Sequence, residues 1–95
     1  MYGLDLRALE IFRAVAIEGS VSKAAIKLNR VQSNISTRVK QLEEQLEKTL
    51  FLRRNRGLTL TSDGHLLLSY TERLLQLSME ASEALNEGKP SGAFR

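Results

Sequence analysis

The sequence predicts a mainly α fold: a three-helix core, a two-stranded hairpin and one long terminal helix. Three observations carry that prediction. Apolar residues recur at helical spacing in three successive stretches separated by turn residues. Between Leu50 and Thr61 the pattern drops to short apolar runs and alternation around Arg54-Asn55-Arg56-Gly57. From Leu67 onward, apolar residues return at alternating spacings of three and four and persist for more than two heptads.

The first helix is predicted over Asp5 to Glu18. Asp5 caps it, Leu9, Phe12, Val15 and Ala16 form its apolar face, and Gly19 stops it. Ser20 then caps a second helix, Val21 to Leu28, whose face of Val21, Ala24, Ala25 and Leu28 is small enough for a neighbouring helix to approach closely. Asn29-Arg30-Val31 makes a short turn, and a third helix follows from Gln32 to Leu46. At 100° per residue Ile35, Val39, Leu42 and Leu46 of this helix share one stripe. Ser33, Ser36, Thr37 and Lys40 project from the opposite side near its start, whereas Glu43, Glu44 and Glu47 come only in the later turns. Two short helices joined by a tight turn, the second longer and basic near its start, form a helix-turn-helix.

Leu50 to Arg53 and Leu58 to Thr61 are then predicted to pair as a hairpin with Arg53, Arg54 and Arg56 about its tip. Thr61 and Asp63 supply the cap and first-turn acid of the last helix, which is expected to reach about Glu87 before Gly88-Lys89-Pro90. Only its first turns are expected to reach the core. The seam Leu67, Tyr70, Leu74, Leu77, Ala81 and Ala84 therefore calls for a second chain, with Leu68, Leu75 and Leu85 able to serve either role. This gives a winged helix-turn-helix over residues 1–60, a dimerisation helix over 61–88 and a hinge over 89–95.

Composition removes several function classes. The chain has 95 residues, 42% hydrophobic and 26% charged, with one proline, which is one globular domain with an extension. With no cysteine and a single histidine, His65, it offers no thiolate metal site, histidine cluster or nucleophile with its base. Neither metal, cofactor nor catalytic residue is expected, and Asp63 and His65 at a helix start are read as capping groups. No apolar run approaches the roughly 20 residues of a membrane span. The N-terminus lacks the form of a signal peptide, and a cytoplasmic location is expected.

Charge points to a partner. Net charge is +3, but residues 20–61 hold nine basic side chains against three acidic ones, a local +6, while the remainder carries −3. A basic middle between acidic ends suits a polyanion. The expected polyanion is double-stranded DNA. Gln32, Ser33, Ser36 and Thr37 would face base edges, Lys40 and Arg30 would stand beside them, and Arg53, Arg54 and Arg56 would meet phosphate or a narrow minor groove. The alternative is a protein-interaction module whose basic middle meets an acidic surface.

The ordered fragments Leu6-x-x-Leu9-x-x-Phe12, Gly19-Ser20, Ala24-Ala25-x-x-Leu28, Gln32-Ser33-x-Ile35-Ser36, Val39-Lys40-x-Leu42-Glu43, Leu50-Phe51-x-Arg53 and Leu60-Thr61-x-x-Gly64 span nearly the whole chain. Together they resemble the N-terminal DNA-binding part of the LysR-type transcriptional regulators of bacteria. The resemblance implies an antiparallel homodimer through the last helix, possible tetramers in a full-length protein, and an A·T-rich interrupted palindrome as target. It also implies a small-molecule effector bound only by a C-terminal domain, absent here, which Ser91-Gly92-Ala93-Phe94-Arg95 would enter as a hinge. Gln32, Ser33 and Ser36 match the groove-facing positions, Thr37 a position often basic in the family, and Arg53 and Arg56 the wing arginines. Val31 departs from the usual Ser or Thr cap, so the third helix is expected either to lack one capping hydrogen bond or to begin a residue later at Gln32 or Ser33, and Glu47 stands where the family usually has glycine, which leaves the geometry of the helix's C-terminal end open.

Overall fold

A computed structural model describes residues 4–55 and 57–91. The order is α1 (Leu6–Glu18), α2 (Val21–Leu28), α3 (Gln32–Leu46), β1 (Phe51–Arg54), β2 (Gly57–Leu60) and α4 (Ser62–Ser91). The mainly α winged helix-turn-helix with its long last helix is thus the fold adopted.

The helix boundaries follow from their caps. Asp5 Oδ1 accepts from the Arg7 amide at 3.1 Å, and Ser20 Oγ accepts from the Lys23 amide at 3.1 Å. Gly19 ends α1 at φ 71°, where a residue without Cβ is unstrained. Asn29 closes α2 at φ 60° and Glu47 closes α3 at φ 57°.

α1 is the central element. Leu9, Ile11, Phe12, Ala14 and Val15 are all buried because α2, α3, β2 and α4 pack around it. The predicted face was therefore too narrow: Ile11 and Ala14 belong to the core, and Ala16 is only half-buried. One cluster joins Ile11, Ala14 and Val15 to Ala24, Ala25 and Ile35, and the Ala24-Ala25 pair is buried where the helices meet. A second joins Phe12, Leu42 and Leu50. Phe51 touches both, its ring 5.4 Å from that of Phe12 and tilted 50° to it, so the hairpin's first strand is stitched into the helical core.

The strands pair antiparallel, Phe51 opposite Leu60 and Arg54 opposite Gly57, one residue nearer the tip than the sequence predicts. The ladder ends at Leu50: its carbonyl still accepts across the hairpin from the Thr61 amide at 3.0 Å, but its amide is turned to Glu43 Oε2 at 2.7 Å. Pairing of Arg54 with Gly57 leaves a two-residue loop, and Asn55 enters it at φ 49°, a left-handed conformation that asparagine tolerates.

Thr61 caps α4: its Oγ1 accepts from the Gly64 amide at 2.9 Å and donates to the Thr49 carbonyl at 2.6 Å. α4 departs from expectation in two ways. It runs to Ser91, past Gly88 and Pro90. Its inner face also reaches further than the first turns. Gly64 and Thr71 are buried, Leu67, Leu68, Leu75 and Ser78 are half-buried, and Arg13 of α1 meets Glu72 at 2.6 Å.

Candidate nucleic-acid interface

The surface is built on α3. Ile35 and Leu42 are buried, and Val39 and Leu46 half-buried, so the inward stripe fixes the rotation of the helix about its axis. That rotation leaves Gln32, Ser33, Ser36, Thr37 and Lys40 exposed on one side of its first half. Glu44 and Glu47 are exposed about one to three turns further on, so the reading half carries no carboxylate. The N-cap residue Val31 makes no side-chain hydrogen bond. Its carbonyl accepts from the amides of Asn34 and Ile35 at 3.1 and 3.3 Å, and the first-turn amides before them meet no side-chain acceptor among the described residues. Such amides sit at the positive end of the helix dipole, an arrangement suited to phosphate.

The basic residues divide into two groups. Lys23, Lys40, Lys48, Arg53 and Arg54 are exposed and take no ion pair among the described residues. Arg30 is half-buried, and its Nη1 donates to Asn34 Oδ1 at 2.9 Å across the turn between α2 and α3. Arg38 is half-buried, with Nη2 3.9 Å from Asp5 Oδ2 and a buried Nε that has no hydrogen-bond partner among the described residues. Lys27 lies 3.6 Å from Glu18. The local +6 therefore overstates the charge held outward, and the outward part is spread over Lys23 of α2, Lys40 of α3, Lys48 beyond it and Arg53 and Arg54 of the wing.

The wing is held from three sides. The Leu58 amide donates to the Gly19 carbonyl at 3.0 Å, and a Cβ on Gly57 would stand 2.5 Å from that same oxygen, so β2 lies directly against the α1–α2 turn. Thr61 holds the entry to β1 from the α4 side. Glu43 holds it from α3, its Oε2 accepting from the amides of Leu50 and Phe51 at 2.7 and 3.3 Å. Arg53 and Arg54 stand exposed at the outer end of β1, while Arg56, assigned to the tip from the sequence, lies outside the described residues.

Of the six seam residues on α4, Tyr70, Leu74, Leu77, Ala81 and Ala84 are exposed, and Arg73 stacks 5.1 Å from the Tyr70 ring. Leu67 is the exception. It packs with Leu68 against the Phe12–Leu42–Leu50 cluster, and Leu66, 58% exposed, takes its place on the outer stripe. One residue is 100° of helix, enough to move a side chain from the outer stripe to the inner one. Leu85 is also exposed, at 77%.

Two residues with structural work at this surface are not picked out by the sequence as such, Glu43 and Asn34. Arg30 and Asn34 carried the i, i+4 signal of a hydrogen-bonding pair. Glu43 carried none, because its partners are backbone amides seven and eight residues away.

A helix-turn-helix on a three-helix core, an arginine-bearing hairpin beside it and a long helix leaving the domain define a winged helix-turn-helix protein with a linker helix. The profile described as "Bacterial regulatory helix-turn-helix protein, lysR family" matches residues 6–65. The chain is 51% identical over 85 residues to the HTH-type transcriptional regulator YusT of Bacillus subtilis (strain 168), covering 88% of this chain and 29% of that protein. It is 44% identical over 93 residues to the regulator GltR of the same strain, covering 97% and 31%. Among solved structures, the BenM DNA-binding domain in complex with catB site 1 DNA superposes with a TM-score of 0.88 at 32% identity, over 92% of this chain and 97% of that one. The CbnR DNA-binding domain in its DNA complex gives 0.85 at 31%, over 90% and 99%. The chain belongs to the LysR family of bacterial regulators, and it spans about three-tenths of the length of YusT and GltR.

Proposed function

We propose that this chain binds double-stranded DNA in a sequence-selective way, as a dimer, and is the DNA-binding part of a transcriptional regulator. The observation that carries the reading is the exposed, carboxylate-free first half of α3, anchored by its buried stripe and flanked by the exposed Arg53 and Arg54 of the wing. The likeness to two domains solved with DNA supports it.

Each part has a task. Lys40, Lys23, Arg53 and Arg54 neutralise phosphates and release counterions, giving affinity that falls with salt. Arg30, its guanidinium steadied by Asn34, joins them at the turn. Gln32 offers the bidentate amide that matches adenine N6 and N7, and Ser33, Ser36 and Thr37 bond base edges with little selectivity of their own. Arg56 in the minor groove adds a preference for A·T-rich flanks. One subunit of this kind discriminates weakly. The α4 face of Tyr70, Leu74, Leu77, Ala81 and Ala84 joins two of them at fixed spacing, and the target becomes an interrupted palindrome.

Selection from random double-stranded DNA tests the whole reading. The expected product is an interrupted palindrome whose binding weakens steeply with salt, and Gln32→Ala is expected to relax the preference at one position per half-site. Failure to enrich any sequence would overturn the reading, and an unchanged consensus would confine Gln32 to a positioning role.

A further inference from the structure

We infer that Glu43 is a positioning residue for the wing: its carboxylate sets where Arg53 and Arg54 stand relative to the base-reading start of α3. The inference rests on the DNA-binding reading above and deepens it.

Glu43 lies on the same helix as Gln32 and Ser36, in the turns that point away from the reading half. One of its oxygens, Oε2, accepts from two consecutive amides, Leu50 at 2.7 Å and Phe51 at 3.3 Å, where the chain enters β1. A carboxylate is the fitting acceptor, because hydrogen bonds to a charged group are shorter and stronger than neutral ones. The other ties of the wing run elsewhere: Leu58 to the Gly19 carbonyl and Thr61 to the carbonyls of Thr49 and Leu50. Those contacts hold the hairpin to α1 and α4. Glu43 is a hydrogen-bonded link from the hairpin to α3 itself.

Leverage makes the link consequential. A strand rises about 3.3 Å per residue, so Arg54 stands about 10 Å beyond Phe51, and a 10° change in the tilt of β1, turning about the Leu58–Gly19 anchor that lies opposite Arg53, shifts its two ends relative to each other by about 2 Å. That is the difference between a direct phosphate contact and one bridged by water. Glu43 thus fixes the distance between two contacts the DNA must make at once, one in the major groove and one beyond it.

The test is a double-mutant cycle on the 95-residue chain, read as affinity for a selected site. Arg53→Ala is expected to weaken wild-type binding about tenfold at moderate salt, as loss of a phosphate contact does. In Glu43→Ala, and in Glu43→Asp, whose side chain is too short to reach both amides, the same substitution is expected to cost less than about threefold. In Glu43→Gln, whose amide oxygen accepts both bonds, the full loss should return. The helix content of each variant is checked by circular dichroism. If Glu43→Ala fails to fold, the aspartate and glutamine backgrounds decide between them. An equal Arg53→Ala penalty in every folded background would make Glu43 a stabilising residue only and overturn the inference. So would an Arg53→Ala protein that binds as tightly as wild type. Failure of the wild-type chain to bind any DNA would instead remove the reading on which the inference rests.

Discussion

Thr71 is wholly enclosed on the inner face of α4, and its hydroxyl has no hydrogen-bond partner among the described residues. Burying a hydroxyl without a partner costs about 1–3 kcal/mol, while its methyl group packs as valine would. Thr71→Val is therefore expected to stabilise the domain by about 1 kcal/mol, raising the midpoint of thermal unfolding by several degrees; an unchanged or lower midpoint would show that the hydroxyl is satisfied in solution. Glu47 is a second strained position. At φ 57° its Cβ crowds the backbone, where the family pattern has glycine, and Glu47→Gly is expected to add about 0.5–1 kcal/mol in urea unfolding. Loss of stability would mean that the side chain earns its place by a contact. The absent cap at Val31 and the unusual residue at 47 were both legible in the sequence because capping is local chemistry, decided within a few residues. Thr71 was not, because nothing near it in the chain announces which side of α4 faces α1.

The same division holds among the elements. The helix starts and the stop of α1 could be read from Asp5, Gly19, Ser20 and Thr61, each a short-range signal, whereas the end of α4 could not. What escaped was how the elements are tied together: the Glu43 clamp, the Arg30–Asn34 bond and the close approach of Gly57 to Gly19 join residues through space, and periodicity carries no record of them. The wing is the element most exposed to such ties. Its second strand begins at Gly57, where an added methyl would press on the Gly19 carbonyl that also accepts from Leu58. Gly57→Ala is expected to push β2 off the α1–α2 turn, costing about 2 kcal/mol of stability by the overpacking it forces. Binding should weaken with it, even though no DNA-facing side chain has changed. A chemical-denaturation midpoint equal to wild type, with equal affinity, would show that the turn yields instead.

At the scale of the molecule, α4 is the decisive feature. Thirty helical residues span about 45 Å at 1.5 Å per residue, most of the 53 Å long dimension of the molecule, and only the first half of that length packs on the domain. The helix carries two apolar stripes. Gly64, Leu68, Thr71 and Leu75 face inward, and Leu66, Tyr70, Leu74, Leu77, Ala81 and Ala84 lie roughly 120° round the axis, open to solvent. Leu66 at 58% exposure, Tyr70 at 49% and Leu77 at 62% make a continuous apolar strip that a single copy of this domain leaves uncovered. Contiguous exposed apolar surface of this kind marks an interface, and a straight helical strip is matched by another such strip lying along it. Two copies related by a twofold axis would place their α3 helices at one fixed separation, which is what two half-sites require. Replacing Leu74 and Leu77 together by Glu puts two charges into each half of that strip without touching the inner stripe. The double variant is expected to sediment as a monomer with helix content close to wild type and an unfolding midpoint lowered to a value independent of protein concentration, and to lose preference for the paired half-site over a single one by at least about tenfold. A dimer that persists in both strip-substituted copies would place the contact elsewhere, and retained preference for paired sites would mean that the spacing is read from DNA shape rather than set by α4.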